Sequence, residues 1–124
     1  MDIKFEFIEK LDRTRAEYVF IPQVTTKQEL LEALAKALDF PLYFGYNWDA
    51  LVDIYGDFYW LQKHEVFICH TSLKYLSYKD LCTYIDIVRY TIKFNADETR
   101  YKVTFVFDIS EREIIEPLLK SEGL

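Results

Sequence analysis

Only two cysteines, three glycines and one methionine occur in this chain of 124 residues. Cys69 and Cys82 make no disulfide framework, so stability has to come from an apolar core; reduced, buried thiols in a cytoplasmic protein are the expectation. Three glycines leave no phosphate-cradling loop of the nucleotide-binding kind. No stretch approaches the roughly 18 consecutive apolar residues of a membrane span. The opening Met1–Glu6 alternates charged and apolar residues, unlike the continuous apolar stretch of a signal peptide. Basic clusters are missing too. With 15 Lys and Arg against 21 Asp and Glu, the net charge is −6. That argues against direct binding to nucleic acid or to an anionic membrane, both of which need Lys and Arg on phosphate. A basic protein is the natural complement of such a charge.

What the chain does have is apolar and aromatic bulk. Hydrophobic residues make up 51% of it, which excludes disorder, and Tyr, Phe and Trp alone make up 18%. Tyr and Trp fill cores and are also enriched at protein interfaces, because each joins a large apolar body to a polar tip. The length fits one domain, 1–124, able to bury a core without metal or disulfide.

Hydrophobic periodicity orders the elements. Ile3, Phe5 and Phe7 alternate with Lys4 and Glu6 as in a half-buried strand. Leu11–Arg15 is a polar connection. Tyr18–Ile21 is expected as an interior strand buried on both faces and stopped by Pro22. Thr26-Lys27-Gln28-Glu29 forms a capping box ahead of a helix carrying Leu30, Leu31, Leu34 and Leu38, which must end before Pro41. Phe58–His64 reads as a loop with a turn, and Glu65–Cys69 as a second interior strand. A short helix is expected over Ser72–Leu76. Ser77 then caps a longer helix with Leu81, Ile85, Val88 and Ile92 at helical spacing. Asn95–Arg100 is a turn and Val103–Phe107 a third interior strand. Pro117 limits the tail, Ser110–Leu124, to a short or kinked element. Strands separated by helices imply an α/β domain with a small, mostly parallel sheet, its helices largely on one side and its first strand an antiparallel edge addition.

The segment from Phe40 to Asp57, FPLYFGYNWDALVDIYGD, is the most informative. It starts as an aromatic loop and continues as a short helix, with Asn47 as N-cap and Gly56 as a left-handed stop. Trp48, Leu51, Val52 and Tyr55 form one stripe at i, i+3, i+4, i+7 and are expected inside. Asp49 and Asp53 fall on a different face, one turn apart, with Asp57 just past the end. Like charges at that spacing cost about 0.2–0.5 kcal/mol, and Asp53 and Asp57 lie toward the negative end of the helix dipole. Two readings stay open on the residues alone: a solvated acidic face, or a surface that meets something positive.

Paired carboxylates also serve as general acid and base in glycosidases, but that requires environments that separate their pKa values, which an exposed short helix does not supply. His64, Cys69, His70 and Cys82 lack the C-x₂₋₄-C or H-x₃₋₅-H spacing of zinc modules. Cys69 belongs to an apolar strand, and His70, after its end, to a turn or loop. Neither a catalytic centre, a cofactor nor a small-molecule substrate is expected.

The run Phe-Pro-x-Tyr-Phe-Gly-x-Asn-Trp-Asp-Ala-Leu-x-Asp, Phe40 to Asp53, resembles the signature of the barstar family of ribonuclease inhibitors. The order of elements around it agrees, and the resemblance spans about Tyr18 to Asp108. It implies a three-stranded parallel sheet packed against helices, and binding rather than catalysis. Barstar covers the active site of a basic ribonuclease with the loop and helix of this motif, one aspartate taking the place of an RNA phosphate. By that resemblance Tyr43 matches the leading aromatic contact, Asn47 the helix cap, Asp49 and Asp53 the two acidic positions, and Asp53 the phosphate mimic. Phe44 and Tyr46 join Tyr43 as contact aromatics, and Gly45 allows a turn or a close approach of the partner backbone. This chain departs from the pattern at Val52, where many members carry Trp, and at Ile54-Tyr55, where Cys-Leu is usual. Tyr90 stands where a supporting glutamate is found, leaving Asp57 and Asp86 as other sources of charge. The resemblance thus implies an immunity protein or antitoxin against a basic nuclease toxin. The alternative is a regulatory protein of the same fold with a different basic partner.

Overall fold

The computed structural model describes residues 3–9, 15–95 and 100–121. Its elements are β1 (Ile3–Ile8), β2 (Tyr18–Ile21), α1 (Lys27–Leu38), α2 (Trp48–Gly56), β3 (Glu65–His70), α3 (Tyr78–Asn95), β4 (Lys102–Asp108), a 3₁₀ turn (Ile109–Glu111) and α4 (Arg112–Leu119). Much of the expected polar connection over Leu11–Arg15 and of the turn over Asn95–Arg100 lies outside the described residues.

The strands form one sheet in the order β1-β4-β3-β2, and every pairing is parallel. β1 is an edge strand as expected, but its direction corrects the antiparallel expectation: Ile3 pairs with Val103 and Phe7 with Phe107. Alternation of apolar and charged residues is the same for either direction, so it carries no information about which one is adopted. β3 and β4 are the interior strands; β2, expected to be buried on both faces, is instead the opposite edge strand and is only partly buried apart from Ile21, because it pairs with β3 alone.

Side chains alternate across the strands, and one face does most of the packing. Ile68, Val103, Phe105 and Phe107 share a single buried cluster with Leu30, Leu31 and Leu34 of α1, Leu51 and Ile54 of α2, and Tyr84, Ile85 and Val88 of α3. Cys69 and Val106, one residue out of phase, are buried on the other face and lie outside that cluster. Helices α1 to α3 therefore cover one side of the sheet, as right-handed crossovers between parallel strands require.

The local signals act where the residues put them. Thr26 Oγ1 accepts from Glu29 N at 3.1 Å while Glu29 Oε1 accepts from Thr26 N at 3.3 Å, closing the capping box of α1. That carboxylate also accepts from Thr25 N and Oγ1, which holds the exposed Glu29 carboxyl below its usual range. Asp39, left-handed at φ 55°, ends the helix ahead of Pro41. Ser77 Oγ accepts from Asp80 N at 3.1 Å and starts α3.

Ser72–Leu76 corrects another expectation, being a turn rather than a helix, closed by Leu76 N to Leu73 O. Its first donors go elsewhere: the buried Glu111 carboxylate accepts from Ser72 Oγ at 2.6 Å and from Leu73 N at 2.8 Å. A carboxylate from a distant segment thus satisfies groups that a helical turn would have left open at its start. The tail holds the eight-residue helix α4 with Pro117 inside it at an exposed position.

Candidate protein-binding site

The loop before α2 is anchored by two aromatics and presents two others. Phe40 and Phe44 are buried and meet edge to face, with centroids 4.9 Å apart, and Phe40 meets Trp60 in the same way at 5.0 Å. Phe44 N donates to Pro41 O at 3.0 Å, which turns the chain back on itself. The turn leaves Leu42 and Tyr43 outside, Tyr43 at 79% exposure. Phe44, expected among the contact residues, is therefore an anchor of the loop and not part of its open surface. Tyr46 lies against Phe44 at 4.8 Å and keeps 45% of its surface open.

Tyr46 also carries the backbone conformation that sets the direction of α2. Its φ is 54°, in the left-handed region that costs a side-chain-bearing residue free energy. The flexibility expected at Gly45 is not used there, since the positive φ of this turn falls on Tyr46 and not on Gly45. A Cβ at Gly45 would meet Asn47 Nδ2 at 3.4 Å and Ala50 Cβ at 3.6 Å, ordinary contact distances, so the space around it does not demand glycine either. Asn47 Oδ1 accepts from Ala50 N at 2.8 Å, and its Nδ2 donates to Gly45 O at 3.3 Å. One side chain therefore joins the end of the loop to the first turn of α2.

Within α2 the buried stripe is Leu51, Ile54 and Tyr55. This shifts the expected inner face: Ile54 is inside, Trp48 is half-buried, and Val52 stands at the surface. Tyr55, common to both stripes, sits at 0% exposure, while Val52 keeps 36% of its surface open. The expected left-handed stop at Gly56 is likewise replaced. Gly56 is the last helical residue and Asp57 is extended. The end is closed by Trp60, whose Nε1 donates to Ile54 O at 3.0 Å and Asp57 O at 2.9 Å. Asn95 Nδ2 donates to Tyr55 O at 3.0 Å. Side chains thus take carbonyls that a helix C-terminus leaves without partners.

On the outer face Asp49, Asp53 and Asp57 are exposed. Asp57 is partly engaged, accepting from Tyr59 N at 3.1 Å. Among the described residues no Lys or Arg forms an ion pair with Asp49 or Asp53. Lys27 Nζ lies 5.5 Å from the Trp48 ring centroid at the start of α2, and the Arg100 guanidinium 4.8 Å from the Tyr59 ring just past its end. Asp86 does not offer a spare charge, being tied to Arg89 at 3.1 Å. Tyr90 is exposed and lies against Phe94 at 4.5 Å. Among the described residues no three His, Cys, Asp or Glu side chains gather where a metal could be held, and no helix is long and apolar enough to cross a membrane.

Behind α2 runs a buried polar chain that the sequence did not reveal. His70 is the last residue of β3 and fully inside, which corrects the turn or loop expected for it. Its Nδ1 lies 2.9 Å from Val106 O, its Nε2 2.5 Å from the Tyr84 hydroxyl, and that hydroxyl 3.0 Å from the Tyr55 hydroxyl. Burial pushes the His70 pKa down to about 4, with the Val106 carbonyl acting in the opposite direction. A neutral imidazole donating from Nδ1 to the carbonyl must accept at Nε2. The order is then Tyr55 O–H to Tyr84 O–H to His70 Nε2. Burial also holds both phenols well above their usual range. No local pattern announces such a chain, because its members come from β3, α2 and α3.

A family model described as Barstar (barnase inhibitor) matches residues 15–109, which takes in the sheet from β2 to β4 together with the whole of the loop and α2. No curated protein matches the chain.

Proposed function

The chain belongs to the barstar family, and we propose that it inhibits a basic ribonuclease or related nuclease toxin by covering the active site with α2 and the loop before it. The observation that carries this reading is the row of Asp49 and Asp53, exposed and without an ion pair to any described cation, next to a loop that holds Tyr43 open. A helix built for stability alone would place Lys or Arg in its last turn, and α2 has no basic residue there. Carboxylates fixed on a rigid helix can accept paired hydrogen bonds from Arg in the geometry a phosphate would offer. In this reading Asp53 takes the place of the RNA phosphate. Asp49 and Asp57 extend the acidic field, and Tyr43 and Tyr46 supply contact area. Gly45 and Asn47 shape the turn that presents them, and Phe44 braces it from inside. The work is recognition, with no covalent step, acting in the cytoplasm, where Cys69 and Cys82 stay free thiols.

A second reading keeps the fold and changes the partner. Tyr90 stands exposed where the family places a supporting acid, and Asp86 is occupied by Arg89. That leaves the α3 side of the surface less acidic than a barnase-type target would favour. A regulatory role toward another basic protein follows from that observation. Inhibition assays separate the two. The chain is titrated into a barnase-type ribonuclease, and separately into any basic nuclease encoded beside it, at low and moderate salt. Stoichiometric loss of nuclease activity supports the inhibitor. Full activity in both mixtures rejects it and favours the other partner.

A further inference from the structure

The acidic row is useful only if α2 holds one rotation about its own axis, and apolar packing alone fixes rotation weakly. The hydrophobic effect has no direction, whereas a hydrogen bond loses most of its strength when it is misaligned. The inner side of α2 is fastened by directional contacts at its C-terminal half. The Tyr55 hydroxyl bonds to Tyr84 at 3.0 Å, its carbonyl accepts from Asn95 at 3.0 Å, and the Ile54 carbonyl accepts from Trp60 at 3.0 Å. Tyr84 in turn leads through His70 to the main-chain carbonyl of Val106 on β4, a strand paired on both sides. The imidazole is itself held flat against Phe107, with centroids 4.8 Å apart and planes at 11°. The path therefore runs from the middle of the sheet to the residue two positions after Asp53.

We propose that Tyr84, although fully buried, is a positioning residue for partner binding: through Tyr55 and His70 it fixes the rotation of α2 and so the presentation of Asp49 and Asp53. Burying three polar side chains costs stability unless each is satisfied, and phenylalanine would fill positions 55 and 84 with less at stake. A polar chain with a single consistent donor order gives the helix one seat. The inference rests on the inhibitor reading above for its partner, but concerns residues that no partner touches.

The test uses the full chain carrying Tyr84→Phe, with Tyr55→Phe as a milder variant that keeps the bond between Tyr84 and His70. Ile115→Val, on α4 and remote from α2, serves as a control for lost core packing. Each is titrated calorimetrically against a barnase-type ribonuclease, and amide hydrogen exchange is followed over residues 48–56. Tyr84→Phe is expected to weaken binding tenfold or more and to speed exchange within α2. Ile115→Val should stay within twofold in affinity, with α2 exchange unchanged. The double variant Tyr55→Phe, Tyr84→Phe should bind no worse than Tyr84→Phe alone, because both act through one contact. Affinity within twofold of wild type in both tyrosine variants overturns the proposal. If the wild-type chain binds neither this ribonuclease nor a basic nuclease encoded beside it, the inhibitor reading fails separately. Exchange over α2 then decides the positioning claim: unchanged protection in Tyr84→Phe rejects it, and faster exchange confined to α2 supports it.

Discussion

Tyr46 holds a left-handed backbone at φ 54° directly before Asn47, the residue that caps α2 through Ala50 N at 2.8 Å. The turn that aims the helix is therefore made by an exposed aromatic, at a position where glycine would be less strained. Tyr46→Gly relieves that strain but loosens the unfolded chain and removes the contact with Phe44. The net change in stability should stay within about 1 kcal/mol. If the ring contacts a partner, affinity falls tenfold or more in the same variant. Chemical denaturation and titration of one preparation read both quantities.

Asn47→Ala removes the oxygen that accepts from Ala50 N and should cost about 1 kcal/mol of stability. Asn47→Ser or Asn47→Asp should recover most of it, since each keeps an N-capping oxygen. Urea midpoints across the three variants check this order.

Loss of the Glu111 carboxylate would leave Ser72 Oγ and Leu73 N buried without their acceptor. Glu111→Ala should cost about 1–3 kcal/mol, and Glu111→Gln less, because one acceptor oxygen remains. Thermal unfolding of the two variants measures the difference. An equal loss in both would mean that packing volume, and not acceptance, is what matters there.

His70 gives the protein a stability that depends on pH. Its pKa in the fold is pushed down to about 4 from an ordinary 6.5. Between those values the unfolded chain binds a proton that the folded chain does not, so stability falls as the pH falls. The loss across that window should approach about 3 kcal/mol. Above pH 6.5 the contribution should be flat. His70→Gln should be less stable at pH 7 and show a shallower decline from pH 6.5 to 4. Denaturation at a series of pH values tests it, and an unchanged slope in His70→Gln would assign the effect to other groups.

What the sequence made legible was mostly local. The capping box of Thr26 and Glu29, the Ser77 cap and the Asn47 cap each act within four residues, and each stands where the residues indicated. β3 and β4 were legible as interior strands because apolar runs bounded by polar residues leave few choices, but the same pattern in Tyr18–Ile21 belongs to a partly buried edge strand. The direction of β1 was not, since pairing direction leaves no mark on alternation. The inner stripe of α2 was misplaced for a related reason. Trp48-Leu51-Val52-Tyr55 and Leu51-Ile54-Tyr55-Phe58 both satisfy helical spacing, and the choice between them is made by Tyr84, Trp60 and Asn95 from elsewhere in the chain. Phe44 was read as surface because its sequence neighbours are open, while the turn at Pro41 folds it inward. The exposed acids Asp49 and Asp53 were legible because nothing in their spacing fits a core.

The central claim rests on Asp53, and calorimetric titration of Asp53→Ala against a barnase-type ribonuclease tests it most directly, with Glu113→Ala on α4 as a remote exposed acid for comparison. The account predicts that Asp53→Ala loses about 1.5–3 kcal/mol of binding, the range of a hydrogen bond to a charged group. Its fold stability should be unchanged or slightly higher, because Asp49 loses a like-charged neighbour, and Glu113→Ala should bind as wild type does. Wild-type affinity in Asp53→Ala, or an equal loss in Glu113→Ala, would contradict the account.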